Sequence, residues 1–289
     1  MKNQTPYVLQ VHCAVLLFGL AGVLGKSIAV PAVIITLGRV VFSSAVLYMF
    51  LKVRNESLHI SEPKDRLLFF LAGCIMAVHW TAFLSSVKIA NVAIGTITGS
   101  TFPLFAAFLE PLFFAEKLRL ANVVFAVVML AGVVILMPLD AVGSLDGNIA
   151  AGIALGMTAS FTYALLSLMN RRFARRYYGF TISFFEQFVA ACVLLPTLFF
   201  VEFSWTGTDL VLLIFLGVVC TAGSHSLFIN GLKGVTVQAA SLISGMEVVY
   251  SCMMAFVFLG AVPSEREWIG GAIVFFTVML SSVYRHKCM

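Results

Sequence analysis

The 289-residue sequence predicts an all-α integral membrane protein, with ten transmembrane helices arranged as two inverted five-helix repeats. Three observations carry that prediction. Hydrophobic residues make up 61% of the chain and charged residues 11%, against about 45–50% and about 25% in a soluble domain; the mean hydropathy of +1.04 points the same way. The apolar runs are unbroken and long, near the roughly 20 residues a helix needs to cross a hydrocarbon core of about 30 Å. Laying the first half over the second so that Lys88 meets Lys233 also brings Thr96 onto Ser241, Gly99 onto Ser244 and Trp80 onto His225. A register two residues longer sets Arg39 against Glu186. Five spans per half is an odd number, so the second half enters the bilayer from the opposite side.

Residues 1–145 form the first predicted repeat, with spans over 8–25, 32–51, 67–87, 92–114 and 120–139. The first follows Lys2; no small-residue cleavage site follows it, so it reads as a span and not a leader. Its Gly19, Gly22 and Gly25 suggest close packing or a hinge. The second span contains Arg39, and the third runs from the charged stretch at Lys64 to Lys88. In the fourth, Gly99 and Pro103 predict a bend, and Glu116 closes it beside Lys117. Residues 146–289 form the second repeat, with spans over 149–169, 179–201, 209–232, 236–260 and 268–284. A β-barrel is excluded because its strands would alternate over about ten residues. Helices satisfy their own backbone in lipid.

Lys and Arg of short loops stay on the cytoplasmic side. With the N-terminus inside, fourteen of the 18 Lys and Arg fall on that face, Lys26, Lys88 and Arg266 fall on the other, and Arg39 lies within a span. Both termini are therefore expected in the cytoplasm. The loop acids Asp140, Asp146, Glu202, Asp209, Glu265 and Glu267 then lie outside. The net charge of +5 reports topology and not nucleic-acid binding. The sequons at Asn3 and Asn55 fall on the inner side, where glycosylation is not expected. The six cysteines form no CxxC pair and read as small apolar side chains.

The motif search excludes the catalytic classes it covers. GLAGVLGKS, Gly19 to Ser27, resembles a phosphate loop, but its first Gly is one residue too far from Gly25. No HExxH, GxSxG or metal-spaced Cys/His cluster occurs, so the chain reads as a non-enzyme with no cofactor and no metal.

An ionisable residue at mid-membrane costs about 2.5–3.5 kcal/mol on insertion scales, so it should face a cavity or a partner. Arg39, His79, Glu110, Glu186, His225 and Glu247 qualify. Glu247 lies near the middle of an otherwise apolar run from Val235 to Gly260, on a stripe with Ser241, Ser244 and Ser251. It could carry a coupling proton, hold a substrate ammonium, or form a structural ion pair with Arg39. His79 and Trp80 offer a titratable ring and an aromatic wall, or helix packing alone. His225 pairs with Trp80 by the repeat. Tyr163 is the expected cavity donor on the Ser160, Tyr163, Ser167, Asn170 stripe. Glu186, beside Gln187, and Glu110 fall within two turns of the cytoplasmic end, where local water can hydrate them; Glu186 is a candidate inner gate. Lys88 and Lys233 end helices, where snorkelling or carbonyl capping suffices.

The segments LGRVVFSSAVL, AVHWTAFLSSVKIANVAIGT, FFAEKL, SHSLFINGLKGVTVQAASLISGMEVVYS and GGAIVFF carry a resemblance to the drug/metabolite transporter superfamily, EamA type, across nearly the whole chain. Two departures stand out. The Glu-Pro pair common in the family's ninth span is Glu247-Val248 here, and the closing LGE is Leu259-Gly260-Ala261. The resemblance implies an alternating-access carrier of small organic metabolites, often outward, with a central cavity between the two halves. It also implies a bacterial inner membrane, and a homodimer is compatible with it. The resulting expectation is a secondary carrier exporting amino acids or similar solutes, with a proton gradient as a candidate drive. Substrate contacts are expected at Glu247, Arg39, His79, Trp80, Tyr163, His225 and Ser244, and gating or proton coupling at Glu247 and Glu186. Uptake by the same fold and a non-transporting partner subunit are the alternatives.

Overall fold

The computed structural model describes residues 4–90, 92–115, 117–137, 147–259 and 262–288, with only the backbone given at 22, 23, 26, 255, 258, 259 and 285–288. Asn3, Glu116, Asp140, Asp146 and the Gly260-Ala261 end of the ninth predicted span lie outside the described residues, as do the side chains of Lys26, Arg285, Lys287 and Cys288.

All regular structure among the described residues is helical. The helices are α1 (Thr5–Lys26), α2 (Ala32–Val53), α3 (Pro63–Ile89), α4 (Val92–Gly99), α5 (Phe102–Phe114), α6 (Leu120–Leu136), α7 (Gly147–Phe173), α8 (Gly179–Leu194), α9 (Gly207–Gly217), α10 (Ser224–Gly231), α11 (Val237–Ser244), α12 (Met246–Leu259) and α13 (Glu265–Cys288). A 3₁₀ turn, Leu195–Phe199, extends α8, and a π turn, Val218–Gly223, joins α9 to α10. Eight stretches are long and apolar enough to cross a membrane, with Val92–Phe114 and Gly207–Gly231 each counted as one; Thr5–Ala21 and Leu120–Leu136 are shorter apolar helices.

Local chemistry sets the boundaries. Pro63 starts α3, where its missing N–H costs nothing. Thr206 and Asp209 form a reciprocal capping box on α9. Thr236 caps α11 through the N–H of Ala239. The bend predicted from Gly99 and Pro103 is a break: α4 stops at Gly99 and α5 starts at Phe102. Ser160 on α7 donates to the freed carbonyls of Thr98 and Gly99 at 2.7 and 2.6 Å.

The main helix contacts are α3 on α7, α1 on α10 and α12, α2 on α8, α3 on α8, α2 on α9, and α6 on α13. Two glycines let backbones meet where charged residues sit. A Cβ on Gly73 of α3 would lie 2.9 Å from the carbonyl oxygen of Glu186 on α8. One on Gly217 of α9 would lie 2.9 Å from that of Arg39 on α2. Such small-residue seams suit a membrane, where close packing replaces the hydrophobic drive.

Polar ties join distant segments at both ends. At one end Glu110 accepts from the backbone N–H groups of Val237 and Gln238, at 2.6 and 2.8 Å, and pairs with Arg171 at 2.6 Å. The carboxylate thus caps the positive end of α11. Tyr177 donates to Asp65 at 2.8 Å nearby. At the other end Lys88, expected to snorkel or cap carbonyls at its helix end, donates instead to the carbonyl of Val30 in the connection before α2, and the N–H of Ala29 reaches Asp209 at 3.1 Å.

Gly73→Val and Gly217→Val should each cost about 1–3 kcal/mol through overpacking, read as a lower thermal midpoint in detergent. Glu110→Ala, which leaves Arg171 and two N–H groups without this carboxylate, should cost more, about 3–5 kcal/mol. A Glu110→Ala midpoint equal to wild type would refute the structural role of that cap.

Candidate functional site

The site begins at Arg39, two turns into α2 and 7% exposed. Its Nε donates to Thr221 Oγ1 at 3.0 Å, and its guanidinium carbon lies 4.1 Å from the centre of the Trp80 ring. That stacking uses the flat, weakly hydrated face of the guanidinium. Thr221 is available because the π turn displaces it: its hydroxyl donates back to Leu216, five residues earlier, at 2.8 Å. Such turns often occur at functional sites.

Trp80 meets His225 edge-on, with ring centres 5.8 Å apart. His225 Nε2 in turn donates to Glu186 Oε2 at 2.9 Å, a tautomer set by its carboxylate partner. His225 and Glu186 are 1% and 0% exposed. A line Arg39–Trp80–His225–Glu186 therefore crosses the centre, built from α2, α3, α10 and α8. The two residue pairs set against each other when the sequence halves are overlaid, Arg39 with Glu186 and Trp80 with His225, supply all four members. Next to Glu186, Gln187 accepts from Ser43 of α2 and donates to Ser183 at 2.6 Å.

His79 lies beside this line. Its Nδ1 donates to the Ala159 carbonyl at 2.8 Å, and its ring stacks on Tyr163 with centres 4.7 Å apart. Tyr163 also packs against Phe102 and Phe228. The Tyr163 hydroxyl is buried and makes no hydrogen bond among the described residues, and the same holds for Ser167 Oγ, Asn170 Oδ1 and Glu186 Oε1.

Glu247 comes from the ninth predicted span, which breaks at Gly245 without the family's proline. The break puts Glu247 in the first turn of α12, at the helix end that favours negative charge. Its side chain is half-buried, and its carboxylate accepts no hydrogen bond among the described residues. Arg39 and Tyr163 both lie within its electrostatic reach. Ser244 donates to its own helix, to Ala240 at 3.0 Å, one turn before Glu247.

Two sequence expectations are corrected here. Glu186 is not hydrated near an end: it is fully buried and bonded to His225. Arg39 and Glu247 form no direct ion pair among the described residues, because Thr221 and Trp80 hold the guanidinium instead. Sequence reasoning missed Thr221, since nothing in VVCTAG announces a π turn. It also left Asn170 out of the site; the i, i+3 spacing from Ser167 was the available clue. Among the described residues no three His, Cys, Asp or Glu gather as a metal group. A cavity of about 80 Å³ between Leu68, Phe114, Leu168 and Arg172 is lined by none of the central residues.

A sequence model of the EamA-like transporter family matches residues 5–137 and again 150–283. The chain is 25% identical over 236 residues to the uncharacterized transporter YwfM of Bacillus subtilis, covering 81% of this chain and 78% of that one. It is 25% identical over 252 residues to a Rickettsia felis protein named S-adenosylmethionine uptake transporter, covering 86% and 82%. A solved crystal structure of 22% identity superposes with a TM-score of 0.80 over 96% of this chain and 98% of the other, a likeness of fold.

Thr221→Val removes the hydroxyl that seats Arg39. The expected loss is about 1.5–3 kcal/mol, the range for a hydrogen bond to a charged group, seen as a lower unfolding midpoint, with Thr221→Ser restoring most of it. An unchanged midpoint in Thr221→Val would mean that the π turn does not hold Arg39.

Proposed function

The chain belongs to the EamA-like transporter family, and from that premise we propose that it is a secondary carrier exporting amino acids or similar zwitterionic metabolites by alternating access, driven by a proton gradient. It is a multi-pass membrane protein. The observation that carries the substrate class is the pair Arg39 and Glu247: opposite charges in electrostatic reach of one another, neither neutralised by the other. Arg39 keeps its terminal nitrogens for a carboxylate, in the planar geometry that suits one. Glu247 offers an unbonded carboxylate to an ammonium. His79, Trp80 and Tyr163 present ring faces for the solute's body, with His225 and Ser244 bordering them.

Ten crossings in two inverted repeats are the architecture proposed, over residues 1–145 and 146–289. The family match falls once in each half. The helix contacts also exchange under that relation: α3 on α7 answers α1 on α10, α3 on α8 answers α2 on α9, and α2–α8 and α6–α13 answer themselves. In this reading the buried line of four is the closed centre of the cycle, and the ties at Glu110 and Lys88 are the two closures that open in turn. Both termini face the cytoplasm across a cell inner membrane, as a monomer or a homodimer. Transport, and not catalysis, is the activity.

A second reading, uptake, is favoured by the name of the Rickettsia relative. S-adenosylmethionine carries the same carboxylate and ammonium, a sulfonium for Glu247 and a base for the ring faces. Alternating access is reversible, so the gradient sets direction.

Metabolites in cytosol and medium should be compared for cells expressing the chain, Glu247→Ala or Arg39→Ala. Export predicts a solute enriched outside only with the intact chain, and at least about tenfold weaker transport in each variant, the scale of one lost charge contact. Enrichment inside would establish uptake, and normal transport in both variants would remove the assigned site. Reporter fusions at both termini should be active only in the cytoplasm; an external terminus would overturn the topology.

A further inference from the structure

We propose that the Glu186–His225 pair binds a proton reversibly, at a place separate from the solute contacts at Arg39 and Glu247; its use as the coupling proton rests on the carrier reading above. The hydrogen-bond count at the pair carries this. Glu186 Oε2 accepts from His225 at 2.9 Å and, at the long distance of 3.4 Å, from Asn170 Nδ2. Glu186 Oε1 has no donor, and neither does Oδ1 of the Asn170 side chain that already reaches this carboxylate. The hydroxyls of Ser167 and Tyr163, on the same face of α7, are also unpartnered among the described residues, each with a hydrogen of its own. A buried acceptor left without a donor costs about 1–3 kcal/mol, and more for a charged group. Glu186 Oε1 and Asn170 Oδ1 are therefore two buried acceptors with no donor on them among the described residues. One proton on Oε1 turns an unmet acceptor into a donor.

The charges lead to the same place. With both histidines neutral, the centre holds one cation, Arg39, and two carboxylates, Glu186 and Glu247. Net negative charge at mid-membrane is unfavourable. A proton on Glu186 leaves Arg39 and Glu247 balancing one another, so the solute-free carrier can close over a neutral centre.

The groups that reach Glu186 are His225 on α10 and, on α7, neutral Asn170 and Tyr163; Arg39, His79, Cys220 and Glu247 act on one another and on these residues. Among the described residues only His225 and Asn170 bond to it. Glu186 and His225 thus form one hydrogen-bonded unit. The proton enters from whichever side is open and leaves to the other, with no covalent bond between heavy atoms made or broken.

Infrared spectroscopy of the purified full chain in lipid, titrated from acid to alkaline pH, tests this. The expected result is a carboxylic-acid C=O band that fades as pH rises, sensitive to deuterium exchange, and reduced by one carboxyl per chain in Glu186→Gln. It should persist in Glu247→Gln, and shift without vanishing in Glu186→Asp, which guards against loss of fold in the first variant. A band equal in wild type and Glu186→Gln would overturn the proposal. So would a band abolished at constant pH by sodium chloride but not choline chloride, since the site would then hold a metal cation. In liposomes, wild type that keeps the band yet moves solute indifferently to a pH gradient would refute proton coupling while leaving the proton site standing.

Discussion

Charge that has no water to rest in decides how these helices meet. Arg39, Glu186 and Glu247 each sit on a segment that is otherwise apolar, and a lipid-facing position would cost each of them several kcal/mol. Their favourable place is the interior, against residues from other segments. Arg39 finds Trp80 and Thr221, and Glu186 finds His225 and Asn170. The glycine seams obey the same logic, because Gly73 and Gly217 bring a neighbouring backbone against the turns that carry Glu186 and Arg39. Packing and polarity are thus solved at the same residues.

Irregular helix geometry gathers at polar residues. Among the described residues the interruptions at Ser100–Thr101, at the π turn and at Gly245 fall next to Ser160, Thr221 and Glu247. Backbone freed from its ladder inside a membrane needs a protein partner. Ser160 supplies one to the carbonyls at the end of α4, which explains that serine without a solute. Gly245 packs against the end of the Met129 side chain on α6, which would have to shift for a Cβ there. The ninth predicted span is interrupted at Gly245, and Val248 stands where the family pattern's proline would.

Composition alone made the membrane class legible, and apolar run length made the helical segments legible. The pairing of Trp80 with His225 was also readable, since laying one half of the sequence over the other set the two residues against each other and they meet edge-on in the structure. Glu186 was misread for a definite reason. Distance along the sequence from a span's end measures depth in a lone helix, whereas solvent access depends on which neighbours cover that depth. The π turn was invisible because its one-residue excess changes no composition, only the phase of the residues after it. That phase shift is what aims Thr221 at Arg39. The failure of Arg39 and Glu247 to bond directly was equally hidden, since it is decided by a competing aromatic face.

The cap on α11 has a mechanical meaning. Glu110 belongs to α5, Arg171 to α7, and the two amides it holds open the eight-residue rod of α11, whose far end is the Gly245 joint carrying Glu247. One carboxylate therefore works as a pivot pin. Displacing α5, which carries Glu110, must either break its bonds to the two amides or draw the rod along, with Glu247 at the far joint. One end of the protein and the charge at its middle are thereby mechanically joined.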